Sequence, residues 1–138
     1  MIPIALNPNS LTIGLAGRGP ALHRRLALLR SGGAQRLLVF SDDPNLPPPP
    51  RDLAVAPLPR QNDIASLDLL WLAGLSADES AELAAIARSH RVLVNVEDQP
   101  ALCDFHSVAE LRRGDRVTLA QLRHELGSPI IKNRRKTA

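Results

Sequence analysis

The stretch from Leu11 to Asp43, LTIGLAGRGPALHRRLALLRSGGAQRLLVFSDD, constrains the fold more than any other part of the chain. Leu11 to Ala16 is a short apolar run suited to a strand buried on both faces, and Gly17-Arg18-Gly19 then turns the backbone. Pro20 fits the first helical position, where its missing N–H would have had no partner. Leu22, Leu26 and Leu29 recur at helical spacing up to about Ser31, where Gly32-Gly33 stops the helix. Leu37 to Phe40 form a second strand with Asp42 and Asp43 at its carboxyl end. Strand, glycine turn, helix and parallel strand make one crossover unit. Two readings of its turn stay open. In one, the amides at the helix start cradle a pyrophosphate and the acids accept from ribose hydroxyls. In the other, Gly17 and Gly19 make only a tight turn, because the third small position of the phosphate pattern falls on Leu22.

The rest of the chain extends that unit. Residues 1 to 10 read as extended, since Pro3 and Pro8 exclude a helix. After the second strand, DDPNLPPPP at 42 to 50 is a stiff surface connection rather than a linker between domains. Leu53 to Ala56 predict a third strand, Arg60 to Asp68 a polar connection or one helical turn, and Leu69 to Ala73 a fully apolar fourth strand. Ser76-Ala77-Asp78-Glu79 is a capping box that starts a helix running through Leu83, Ile86 and Ala87 to about Ser89. Arg91 to Val96 supply a fifth strand, with Asn95, Glu97 and Asp98 at its end. Strands alternating with helices predict a doubly wound parallel sheet whose ligands lie at the carboxyl ends of the strands. From Phe105 the pattern changes to two short segments, 105 to 111 and 116 to 121. They read as a hairpin leaving the sheet, or as a helix LAQLRHEL capped by Thr118.

Size and charge narrow the function. The 138 residues suffice for one hydrophobic core, not for a nucleotide domain plus a full substrate domain. No apolar run approaches a membrane span, and Met1-Ile2-Pro3-Ile4 lacks a signal peptide's basic start, so a cytoplasmic protein is expected. The single cysteine, Cys103, cannot form an internal disulfide. It reads as a small buried hydrophobe, and Asp104 as a turn-forming residue. Seventeen Lys and Arg against 14 acids give a net charge of +3. They gather at Arg24-Arg25, at Arg112-Arg113-Arg116 and in a short solvated tail, Lys132-Arg134-Arg135-Lys136. Two Phe, one Trp and no Tyr are too few for a base-stacking platform, which argues against nucleic acid as a partner.

VNVEDQPALCDF at 94 to 105 resembles the segment VNVxDxPxxCDF of the siroheme synthase amino-terminal domain, the precorrin-2 dehydrogenase and sirohydrochlorin ferrochelatase family. GRGPALHRRLALLRSGGA at 17 to 34 aligns without gaps on that family's GGGxVAxRKxxxLLxxGA, and PIALN at 3 to 7 is similar to its PIFLN. The resemblance covers residues 3 to about 121. It implies a Rossmann-type domain at 1 to 104, a hairpin or dimerisation extension at 105 to 131 forming a homodimer, and a basic tail at 132 to 138. It further implies NAD as cofactor near Gly17, Arg18, Gly19, Pro20, Asp42, Asp43 and Gly74, and no resident metal. Asp98 falls on the family's catalytic aspartate. The implied reaction is oxidation of precorrin-2 to sirohydrochlorin, with ferrochelation as an extension. A substrate bearing eight carboxylates calls for polar and cationic groups, which Asn95, His106, Arg112, Arg113 and Arg116 could supply.

The chain departs from that pattern in four places. Arg18 replaces the middle glycine, where it could contact a phosphate, read a ribose 2′-phosphate or obstruct binding. Ala73-Gly74-Leu75-Ser76 stands where the family has Ala-Thr-Asp-Asp. Only Gly127-Ser128-Pro129 is left of SxGGxSP, and the sequence stops at Ala138 without the helical domain that follows in the family. A non-catalytic relative that binds a nucleotide or tetrapyrrole as a partner subunit is therefore the alternative expectation.

Overall fold

The crossover unit read from Leu11 to Asp43 forms the middle of a five-stranded, all-parallel sheet. The structure is a computed structural model that describes residues 1–107. Asn7–Phe105 form one compact unit, and Met1–Leu6 and His106 belong to another. Strand β1 (Thr12–Gly17) lies between β2 (Arg36–Phe40) and β4 (Leu69–Ala73). Two shorter strands, β3 (Val55–Ala56) and β5 (Leu93–Val96), form the edges, giving the order β3-β2-β1-β4-β5. The chain winds outward through β2 and β3, then returns to the other side of β1. The reversal therefore falls between β1 and β4, and in such sheets ligands bind in the crevice that opens there.

Strand alternation divides the apolar residues between two faces. On one face Leu15, Val39 and Trp71 pack with Leu22 of helix α1 (Gly19–Ser31). On the other, Ala16, Leu70 and Leu72 meet Ile64 of α2 (Gln61–Ala65) and Leu83, Ala84 and Ala87 of α3 (Ala77–Ser89). Each Leu so buried contributes roughly 2 kcal/mol by removal from water. β4 is buried at every position because helices cover both of its faces.

Several boundaries differ from expectation for local reasons. The third strand is two residues rather than four, and Pro57 removes the donor that would continue it. The fifth strand starts at Leu93 rather than Arg91, whose φ is +58°. Leu26 and Leu29 are only partly buried, and Leu28 is 59% exposed. No helix lies between β2 and β3. Leu46 and the prolines at 47–50 flank α1 instead, leaving beside Leu22, His23 and Leu26 a cavity of about 400 Å³. The capping box is as expected: Glu79 N–H donates to Ser76 Oγ at 3.1 Å, and Ser76 N–H to Glu79 Oε1 at 3.2 Å. The segment expected to form a hairpin or helix after Phe105 lies almost wholly outside the described residues.

Candidate functional site

Three glycines stand at the carboxyl ends of β1 and β4, for different reasons. A Cβ on Gly17 would overlap the carbonyl of Ala73, and one on Gly74 would overlap the carbonyl of Arg18. Arg18 N–H donates to Ala73 O at 3.0 Å, so the two turns interlock main chain against main chain. Gly17 and Gly74, both expected at a cofactor, are thus required by strand packing whatever binds nearby. Gly19 differs: its φ is +65°, and nothing lies within 4 Å of where its Cβ would be. It is the open position of the turn. Pro20 follows it as an exposed residue in the first turn of α1.

Arg18, the replacement for a family glycine, spans two elements with a pair of forks. Its Nε and Nη2 donate to the two oxygens of Asp42 at 2.6 and 2.9 Å. Its Nη1 and Nη2 donate to the two oxygens of Glu79, both at 2.7 Å. Bidentate, charge-assisted bonds of this kind are short and directional. Hydrogen bonding to Arg18, aided by the Ser76 N–H, holds Glu79 down at about 2 against its ordinary 4.5. The other fork of Arg18 pulls Asp42 below the usual carboxylate range, and Glu79 and Asp42 together raise the guanidinium pKa further.

Asp43 closes the cradle from the other side. Its Oδ2 accepts from Gly19 N–H at 2.9 Å and its Oδ1 from Asn45 N–H at 2.9 Å. The Asn45 and Gly19 amides hold its carboxyl below the usual range. Ser41 ties the same loop to the turn, donating from Oγ to Gly17 O at 2.7 Å and accepting from Asp43 N–H at 3.1 Å. The start of α1 thus carries one cation, Arg18, among three carboxylates.

The end of β5 meets the same helix. Glu97 N–H donates to Leu72 O at 2.9 Å. The Glu97 side chain, 18% exposed, lies 3.7 Å from Arg24 and 3.9 Å from Arg25. Its Oε2 is buried and accepts no hydrogen bond. Asp98 follows, exposed and at φ +64°, a left-handed conformation that aspartate adopts more readily than most side-chain-bearing residues but less readily than glycine. Non-glycine residues held there concentrate at functional sites.

The second motif string folds back on itself. Cys103 Sγ meets both Val96 N–H and Val96 O at 3.2 Å. Asp104 accepts from Val94 N–H at 3.0 Å and from Arg88 Nε at 3.2 Å, and its own N–H donates to Val94 O at 2.8 Å. Asn95, expected at the substrate, is instead fully buried and donates from Nδ2 to Phe105 O at 2.9 Å. Phe105 in turn packs edge-on against Trp71, with centroids 4.8 Å apart. Most of VNV and CDF therefore forms a clasp along β5, and Asp98 is the exposed carboxylate between its halves.

The structure brings Gly17, Arg18, Gly19, Asp42 and Asp43 together and sets Gly74 against Arg18. His106 belongs to the other unit, and Arg112, Arg113 and Arg116 lie outside the described residues. Sequence reasoning missed Glu79 as the partner of Arg18, and Glu97 as the partner of Arg24 and Arg25. Glu79 was visible only as a cap, and no local pattern pairs residues 61 positions apart.

Residues 4–109, more than half of the chain, match the family described as "Putative NAD(P)-binding". No curated protein matches the chain. Among the described residues, no helix is long and apolar enough to cross a membrane.

Proposed function

We propose that this chain, which belongs to the NAD(P)-binding family, binds NAD across the β1–β4 crevice and oxidises precorrin-2 to sirohydrochlorin. The substrate and the choice of NAD rest on the resemblance to the siroheme synthase amino-terminal domain. One observation carries the reading. The two motif segments, 17–34 and 94–105, are separated by 59 residues of sequence, yet Glu97 lies within 4 Å of Arg24 and Arg25. The phosphate-type turn and the candidate acid therefore share one end of the sheet.

The shape of the turn suits a dinucleotide, although Arg18 and the Gly19 N–H are held by carboxylates of the chain. Gly19 leaves open space at the start of α1, where N–H groups and the helix dipole favour an anion. Asp42 and Asp43 stand at the end of β2, where acids accept from ribose hydroxyls and repel a 2′-phosphate, which favours NAD over NADP. When bound, NAD supplies the hydride acceptor. The chain's part is to hold and move the proton: Asp98, exposed just past the end of β5, takes a proton from the reduced macrocycle at a carboxylate oxygen.

The test is to incubate the purified protein with freshly generated precorrin-2 and NAD, following sirohydrochlorin against a no-protein control. NAD-dependent turnover that is lost in Asp98→Asn is the expected result. A second reading, a nucleotide- or tetrapyrrole-binding relative without turnover, is favoured by the carboxylates on Arg18 and Gly19. Binding of either ligand by a folded protein with no oxidation above the control would select it.

A further inference from the structure

Two groups at the turn that would recognise a phosphate, the Arg18 guanidinium and the Gly19 N–H, are already engaged by carboxylates of the chain itself. Four guanidinium contacts of Arg18 go to Asp42 and Glu79, and the Gly19 N–H goes to Asp43. The carboxylate oxygens stand where phosphate oxygens would bind, in the bidentate geometry that a guanidinium offers to either anion. A diphosphate cannot simply be added to this arrangement. With one cation among three carboxylates, the turn would repel it.

Resting on the NAD-binding reading, we propose that Glu79 is the gate of the phosphate site: an incoming diphosphate displaces Glu79 from Arg18, and Arg18 becomes its ligand. Glu79 is the partner that can leave. Both carboxylates give both oxygens to Arg18, but Glu79 retains a further hydrogen bond, from the Ser76 N–H, when its fork opens. It also sits in the first turn of α3, directly after β4, on the crevice side of the sheet, while Asp42 follows β2. The side chains of Arg18 and Glu79 are 32% and 34% exposed, so partners can exchange without opening the core. Asp42 keeps its fork and holds the guanidinium in place through the exchange. Arg18 thus becomes a phosphate ligand held in reserve, and Glu79 sets the affinity.

The experiment is calorimetric titration of the full chain with NAD and, separately, with inorganic pyrophosphate. Glu79→Gln removes the charge yet keeps the cap, since glutamine reaches back to the Ser76 N–H as glutamate does. It is expected to tighten both ligands roughly fivefold or more, the effect of one nearby unit charge in a largely aqueous setting. Arg18→Gln is expected to weaken both, and the double variant to bind more tightly than Arg18→Gln, which leaves the Glu79 charge uncompensated, but less tightly than Glu79→Gln. Glu79→Asp, one methylene shorter, provides a second variant that keeps the charge but loosens the fork, with affinity between the wild type and Glu79→Gln. NAD binding that is unchanged or weaker in Glu79→Gln overturns the gate and leaves the NAD reading standing. Tighter binding in Arg18→Gln overturns it too, because Arg18 would then be an obstruction. Tightening by pyrophosphate with no NAD binding in any form keeps the gate and overturns the NAD reading; no binding of either probe overturns both.

Discussion

The main chain of Gly17 packs directly on the carbonyl of Ala73, so that a Cβ at residue 17 would overlap that oxygen. Because both atoms belong to paired central strands, neither can give way cheaply. Gly17→Ala is expected to destabilise the fold by about 3 kcal/mol or more, at the upper end of what overpacking costs, with no nucleotide present. Urea unfolding measures this. A variant as stable as the wild type would show that β1 and β4 can separate there.

Gly19 provides the contrast. Nothing stands near its Cβ position, and only its φ of +65° resists a side chain. Gly19→Ala should lose about 1–2 kcal/mol of stability, the left-handed penalty. Gly19→Val should remain folded enough to titrate but lose NAD, because the side chain fills the space through which phosphate approaches. NAD affinity unchanged in the valine variant would remove the turn from the cofactor site.

For Asp98 the backbone and the side chain make opposing demands. Replacing it with glycine relieves the left-handed strain and should stabilise the fold by about 1 kcal/mol, while removing the carboxylate abolishes turnover. Asp98→Asn should leave the melting temperature near that of the wild type and abolish turnover equally. Full activity in either variant would reduce Asp98 to a turn residue.

Asp104 holds the clasp. Its carboxylate accepts from the Val94 N–H on a strand whose residue is fully buried, so Asp104→Ala leaves that donor without its side-chain partner. The expected loss is about 1–3 kcal/mol, with Asp104→Asn costing less because its amide oxygen can still accept. Thermal melts of the two variants would decide, and equal midpoints would contradict the assigned role.

Acid should loosen the Arg18 forks in a defined window. Glu79 titrates at about 2 in the folded chain and at 4.5 when unperturbed, so its folded pKa is depressed. Its contribution to stability is therefore complete above about 4.5 and is lost as pH falls toward 2. Asp42, shifted in the same direction by the same guanidinium, deepens the fall. Unfolding free energy measured from pH 6 to 2 should drop less steeply in Glu79→Gln; parallel curves would mean that the Arg18–Glu79 fork contributes nothing.

Much of the architecture was legible because its signals are local. Apolar runs bounded by Gly and Pro marked the strands, Leu69–Ala73 to the residue, and the Ser76–Glu79 capping box marked the start of α3. The two-residue β3 and the late start of β5 were less clear, since short edge strands depend on which neighbour pairs with them. The glycines were recognised, but their reasons were not separable: Gly17 and Gly74 answer to each other's strands, and only Gly19 to open space.

By itself, then, the sequence determined the order of strands and helices, the doubly wound parallel sheet and the crevice end of it, because period, caps and breakers act over a few residues. The tertiary structure decided what fills that crevice. Arg18 meets Asp42 and Glu79, Asp43 meets the Gly19 amide, and Glu97 meets Arg24 and Arg25, across separations of 24 to 73 residues. Charges find partners through space, by Coulomb attraction and hydrogen-bond geometry between chain segments that only the folded sheet brings together.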